Sequence, residues 1–78
     1  MKKSMRLILS GSLQPMFFLP YVKEEAIKLN VRGFVRELED KRIEVFIEGD
    51  STAIEAMIPK CKTGPYNTKI RNAEQKDE

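Results

Sequence analysis

The chain has no histidine, no tryptophan and a single cysteine in 78 residues. Without histidine it cannot build a Ser-His or Cys-His nucleophile, a His-ligated zinc or an imidazole general base. Cys61 alone permits neither an internal disulfide nor a cysteine-rich metal cluster. Charge of one sign is lacking too: 14 Lys plus Arg against 12 Asp plus Glu leave +2, too little to argue for a nucleic-acid partner. No apolar run approaches the roughly 20 residues needed to span a bilayer. Lys2, Lys3 and Arg6 ahead of Leu7-Ile8-Leu9 look like the start of a secretory signal. Ser10, Gly11, Ser12 and Gln14 then interrupt the run, and no small-residue cleavage site follows. These absences predict a cytoplasmic domain with no membrane partner. For chemistry they leave backbone amides, arginine, lysine and carboxylates, or binding without catalysis.

What is present is a globular composition, 41% apolar and 33% charged. A domain of this size buries only roughly 60–65% of its unfolded surface, so the core is thin. Met5 to Leu13 alternates as a mostly buried strand, and Gly11 to Pro15 breaks it into a loop. Val22, Ala26 and Leu29 recur at helical spacing, with Pro20 suited to the first turn and Asn30 to a left-handed C-cap. Val31 to Leu38 and Arg42 to Gly49 form a hairpin around Glu39-Asp40-Lys41. Asp50, Ser51 and Thr52 offer N-caps, Thr52 with Glu55 having capping-box spacing. Ala53, Ile54, Met57 and Ile58 line a second helix that Pro59 kinks or ends. After the Gly64-Pro65 turn the polar remainder, 66–78, supports a weak edge strand over 68–73. The domain therefore runs over 4–73, with 74–78 as a frayed charged tail. The order is βαββαβ, an α+β ferredoxin-like sandwich with both helices on one face of an antiparallel sheet.

Gly11-Ser12-Leu13-Gln14-Pro15-Met16-Phe17-Phe18-Leu19 resembles the first signature of the acylphosphatase family, roughly G-x-V-Q-G-V-x-F-R. The second signature, G-[FYW]-V-x-N-x-x-D-G-x-V-E, is echoed by Gly33-Phe34-Val35-Arg36-Glu37-Leu38-Glu39-Asp40-Lys41-Arg42-Ile43-Glu44, and Gly64-Pro65 matches a further family habit. The resemblance implies the βαββαβ fold and hydrolysis of the carboxyl-phosphate bond of acyl phosphates, with no metal or cofactor. It also implies an anion loop, here Gln14, Pro15, Met16, Phe17, Phe18 and Leu19, whose amides and helix N-terminus cradle phosphate. In the family an arginine clamps that phosphate and an asparagine positions the attacking water.

Carried over residue by residue, the arginine falls on Leu19 and the asparagine on Glu37. Leucine offers no bidentate charged contact, and such an arginine is worth roughly 10³–10⁵ in rate at other phosphoryl-transfer sites. An ionised Glu37 about 5 Å from phosphate would repel each negative charge by roughly 3 kcal/mol at an effective dielectric of 20. Pro15 in place of the loop glycine removes one cradle N–H. These losses predict no competent catalytic set and a binding or interaction domain, whose partner is a protein or a small molecule. Phosphate or acyl phosphate binds only if the loop is still competent. The alternative is an active acylphosphatase with displaced catalytic residues.

Several residues carry two readings. Lys23, one turn after Leu19, is either a solvated helix residue or a substitute cation reaching back to the cradle. Glu37 is either an exposed strand-end carboxylate or a base toward a neutral substrate. Met16 to Leu19 are either core or partly exposed apolar surface at the old cleft. Cys61 reads as a lone thiol, although Lys60 and Lys62 beside it would lower its pKa. Lys60, Lys62, Lys69 and Arg71 would form a basic patch, and Phe34 and Phe46 would sit on the open sheet face. Glu44 and Glu48 share that face and no RNP-type motif is present, which argues against RNA.

Overall fold

The computed structural model describes residues 1–65 and 68–78; Tyr66 and Asn67, which open the polar remainder, lie outside them. The elements follow the expected order: β1 (Lys2–Ser12), α1 (Pro15–Lys28), β2 (Arg32–Glu37), β3 (Ile43–Asp50), α2 (Ser51–Thr63) and β4 (Lys69–Asp77). They form a four-stranded antiparallel sheet in the order β2-β3-β1-β4. In the two central strands, β1 and β3, alternation of apolar residues fixes the buried face, because successive side chains point to opposite sides. Met5, Leu7 and Leu9 of β1 and Ile43, Val45 and Ile47 of β3 are buried with Phe18 and Val22 of α1 and Ile54, Met57 and Cys61 of α2. Both helices therefore cover one face, as the sandwich requires.

The hairpin closes where expected. Leu38 N–H donates to the Arg42 carbonyl at 2.7 Å, and Lys41 takes the left-handed conformation at φ 71 that the tight turn needs. Asn30 follows α1 at φ 58, the left-handed residue the sequence suggested.

Three element ends and one helix cap differ from expectation, each for a local reason. α1 begins at Pro15, not near Pro20; Pro15 occupies the first helical position and Pro20 lies inside the helix. Proline suits that first position because its missing N–H has no intrahelical role there. α2 runs past Pro59 to Thr63. Pro59 is exposed while Met57 and Cys61, four apart on the other side, are buried, so packing holds the last turn despite the lost backbone bond. The capping box does not form: Asp50 is the N-cap without a side-chain cap bond, and the Met1 carbonyl accepts from Ser51 N–H at 2.7 Å. Residues 74–77, expected to fray, are paired with β1 as far as Asp77 opposite Met5. Glu78 N–H continues this edge by donating to the Ser4 carbonyl at 2.9 Å.

Candidate functional site

The segment that resembles the anion loop is the start of α1. At Gly11, where the β1–β4 register shifts, φ is +142 and an added Cβ would collide with the Lys69 carbonyl. Only glycine fits this exit from the strand. Gln14 is the N-cap, and Pro15 to Leu19 form the first turn. Pro15 has no N–H, and the amides of Phe17 and Phe18 both donate to the Gln14 carbonyl, at 2.9 and 2.8 Å. Of the first-turn amides, this leaves Met16 outside the helix's own bonding. Two amides of the expected cradle are thus engaged by the helix itself, and Pro15 supplies none.

The side chains of this turn split. Phe18 is fully buried, and its ring lies tilted against Tyr21 with centroids 6.2 Å apart. Leu19 is half-buried and packs against the core cluster. Met16 and Phe17 are 80% and 57% exposed, so the core-only reading of this stretch fails for them. Glu37, the last residue of β2, is exposed. The register sets it beside Ile43, which pairs with Leu9, so Glu37 lies at the end of the sheet from which β1 leads into α1. Leu19 and Glu37, the residues the resemblance sets at the arginine and asparagine, therefore share one end of the molecule. Lys23 is exposed and lines a groove between α1 and β2.

The remaining candidates separate. Cys61 is 1% exposed, and burial pushes its thiol up to about 12, so the flanking lysines do not activate it. Lys60 is drawn out of the basic patch: its Nζ lies 2.8 Å from Glu25 Oε1 across the helix seam. Lys28 reaches the other Glu25 oxygen at 3.1 Å, and Tyr21 OH donates to the Lys60 carbonyl at 3.1 Å. Hydrogen bonds from Lys60 and then Lys28 hold the Glu25 carboxyl below its ordinary range.

A linked set of charges lies on the open sheet face, where sequence reasoning had noted the aromatics but missed the role of Glu44. Phe34 and Phe46 stack with centroids 5.6 Å apart. The Arg6 guanidinium lies 5.3 Å from the Phe46 ring and Arg36 lies 5.6 Å from the Phe34 ring. Glu44, 5% exposed, accepts from Arg36 at 2.5 Å and also from Arg6. Arg6 bonds Glu78 as well, at 2.9 Å. Burial alone would raise the Glu44 pKa, but the hydrogen bonds from Arg36 and Arg6 outweigh it and leave the carboxyl below its ordinary range. The signal for this bridge was the β2–β3 register, which sets Arg36 directly opposite Glu44.

Comparison with known proteins agrees with the fold. The acylphosphatase family model matches residues 5–78. The chain is 34% identical over 76 residues to an acylphosphatase of Rubrobacter xylanophilus, covering 97% of this chain and 69% of that protein. It is 36% identical over 67 residues to one from Aeropyrum pernix, covering 85% and 66% respectively. Among solved structures, acylphosphatase from Bacillus subtilis superposes with a TM-score of 0.92 at 26% identity, over 97% of this chain and 84% of that one. Full-length HypF superposes at 0.90 and 24% identity, over 100% of this chain but 10% of that one, which speaks for the fold alone. With a family model spanning nearly its whole length and the same βαββαβ sandwich, this chain belongs to the acylphosphatase family.

Proposed function

We propose that this acylphosphatase-family domain binds a partner without hydrolysing acyl phosphates. The observation that carries the reading is Leu19: the residue matching the family's phosphate-clamping arginine is apolar and packs against the core. Three further features support it. Glu37 puts a carboxylate where the resemblance implies a water-positioning amide. Pro15 and the Gln14 carbonyl leave few amides for an anion. Met16 and Phe17 expose apolar surface at the same turn, which suits an apolar ligand or a protein surface better than phosphate.

The test is turnover of benzoyl phosphate by the purified chain. The expected rate is the spontaneous one, and a protein-dependent rate above it sinks the proposal. Restoring the family residues together, Pro15→Gly, Leu19→Arg and Glu37→Asn, is expected to create hydrolysis that the unaltered chain lacks.

A second reading, hydrolysis by displaced residues, is favoured by the name acylphosphatase on relatives that align over nearly the whole chain. In that case Lys23 would supply the missing cation, and Lys23→Met would remove any turnover found.

A further inference from the structure

The sheet face that the helices leave bare is laid out in rows by the strand registers. From β2 across β3 and β1 to β4, the central row is Phe34, Phe46, Arg6 and Lys76. On the side from which β1 leads into α1, the next row is Arg36, Glu44, Ile8 and Glu74. On the other side come Arg32, Glu48 and Ser4, and Glu78 completes that row by donating its N–H to the Ser4 carbonyl. The β2 border of the face therefore runs arginine, phenylalanine, arginine. The β4 border runs glutamate, lysine, glutamate.

Part of this pattern is unused within the chain. Phe34 is 45% exposed. Among the described residues Arg32, Glu74 and Lys76 hold no ion pair, whereas Arg6, Arg36 and Glu44 do. Basic and acidic side chains balance across the three rows, so neither a polyanion nor a polycation matches the face. The surface that does match it is its own.

We propose that this face docks on the same face of a second copy, about a two-fold axis that runs along the strands between β3 and β1. β2 of each copy then lies over β4 of the other, and β3 over β1. Arg32 and Arg36 meet Glu78 and Glu74, Lys76 lies over the Phe34 ring, and Arg6 lies over Phe46. A two-fold axis across the strands would instead set β2 on β2, with Arg32 against Arg36, and β4 on β4, with Glu74 against Glu78. Like charges brought face to face are destabilising, so the charge pattern selects the first arrangement. Stacked sheets lie ~10 Å apart with strands within about 30° of alignment, a gap that an arginine and a glutamate span together. A strand spacing of ~4.8 Å and a rise of ~3.4 Å per residue give a footprint of roughly 350 Å² per copy. That is below the roughly 800 Å² per partner of a standard interface, so the pair is weak and transient. The site is on the opposite side of the sheet from α1, and the proposal stands whether or not the chain hydrolyses acyl phosphates.

The experiment dilutes isotope-labelled chain from about 1 mM, the range in which a weak pair associates, and follows its amide shifts. The expected result is concentration-dependent shifts on the bare face that shrink when salt rises from about 20 to about 500 mM. Glu74→Lys sets a lysine against Arg36 of the other copy and should weaken association by about tenfold or more. Glu55→Lys makes the same charge change on exposed α2 and should leave association unaltered. Orientation is read from a nitroxide on Asn72→Cys, exposed on the bare face of β4, where buried Cys61 does not compete for the label. Mixed with isotope-labelled unaltered chain, it should broaden amides of β2 in the other copy. Shifts that do not change with concentration, shifts confined to the helix side, Glu74→Lys no weaker than Glu55→Lys, or broadening centred on β4 overturns the proposal. Should Glu74→Lys fail to fold, the broadening pattern decides alone.

Discussion

The same strands build two faces that are held in opposite ways. Under the helices, Leu7, Leu9, Ile43 and Val45 are fully buried and carry no charge. One residue along in each case, the open face holds Arg6, Glu44 and Phe46, with Arg36 and Phe34 beside them on β2. The first face is stabilised by exclusion of water and close packing, which involve no titrating group. The second depends on one carboxylate that must stay ionised between two guanidinium groups. The difference teaches where a small domain places its polar specificity: on the side with no helix to cover it, where long arginine side chains keep one end in water.

The largest break in this comparison is expected from Leu7→Ala. Removing a fully buried side chain should destabilise by roughly 2–5 kcal/mol, by the same amount across the range from pH 4 to 8, as read from denaturant midpoints.

Glu44→Gln attacks the other face and should cost less, about 1–2 kcal/mol at neutral pH, since both arginines remain partly solvated. Its loss is pH-dependent. Because the folded-state pKa of Glu44 lies below its ordinary value, the carboxylate contributes its full stabilisation above the unfolded pKa of roughly 4.3. That contribution disappears as pH falls through the folded value. The stability gap between the unaltered chain and Glu44→Gln should therefore narrow on acidification below about pH 4. A gap that stays constant with pH breaks the contrast between the faces.

The smallest stability change belongs to Phe34→Ala. It removes a stacked but 45% exposed ring, and about 0.5–1.5 kcal/mol is expected from the lost aromatic pair. A thiol reagent sharpens the comparison from the buried side: at pH 8 the reaction of Cys61 should be slow and should accelerate to the free-thiol rate on unfolding.

Much of the fold was legible in the pattern of residues. Ile43, Val45 and Ile47 against Glu44, Phe46 and Glu48 marked both β3 and its orientation, and Asn30 marked the end of α1. The start of α1 was not legible. Met16 to Leu19 are all apolar and carry no helical period, so nothing local separated a loop from a first turn. Pro15 was the available signal, and it serves a loop or a first helical position equally well. The end of β4 was hidden for the opposite reason. Residues 74–77 are polar, and what orders them is cross-strand pairing with β1, assisted by the bond from Arg6 to Glu78. At the candidate site, identities were readable and placement was not. Leu19 and Glu37 stood out against the motifs the sequence resembles, but the capture of the Phe17 and Phe18 amides by Gln14 was not visible.

Sequence alone determined the element order, the two faces of β3 and the family, because alternation and motif spacing are properties of neighbours along the chain. It also set the absence of histidine. Tertiary structure decided that Cys61 is shielded, that Lys60 serves Glu25, that Glu44 is buried between Arg6 and Arg36, and that β2 is left open beside an apolar groove. Each of these depends on residues far apart in sequence coming within a few ångströms. Charge and burial are set by such neighbours in space.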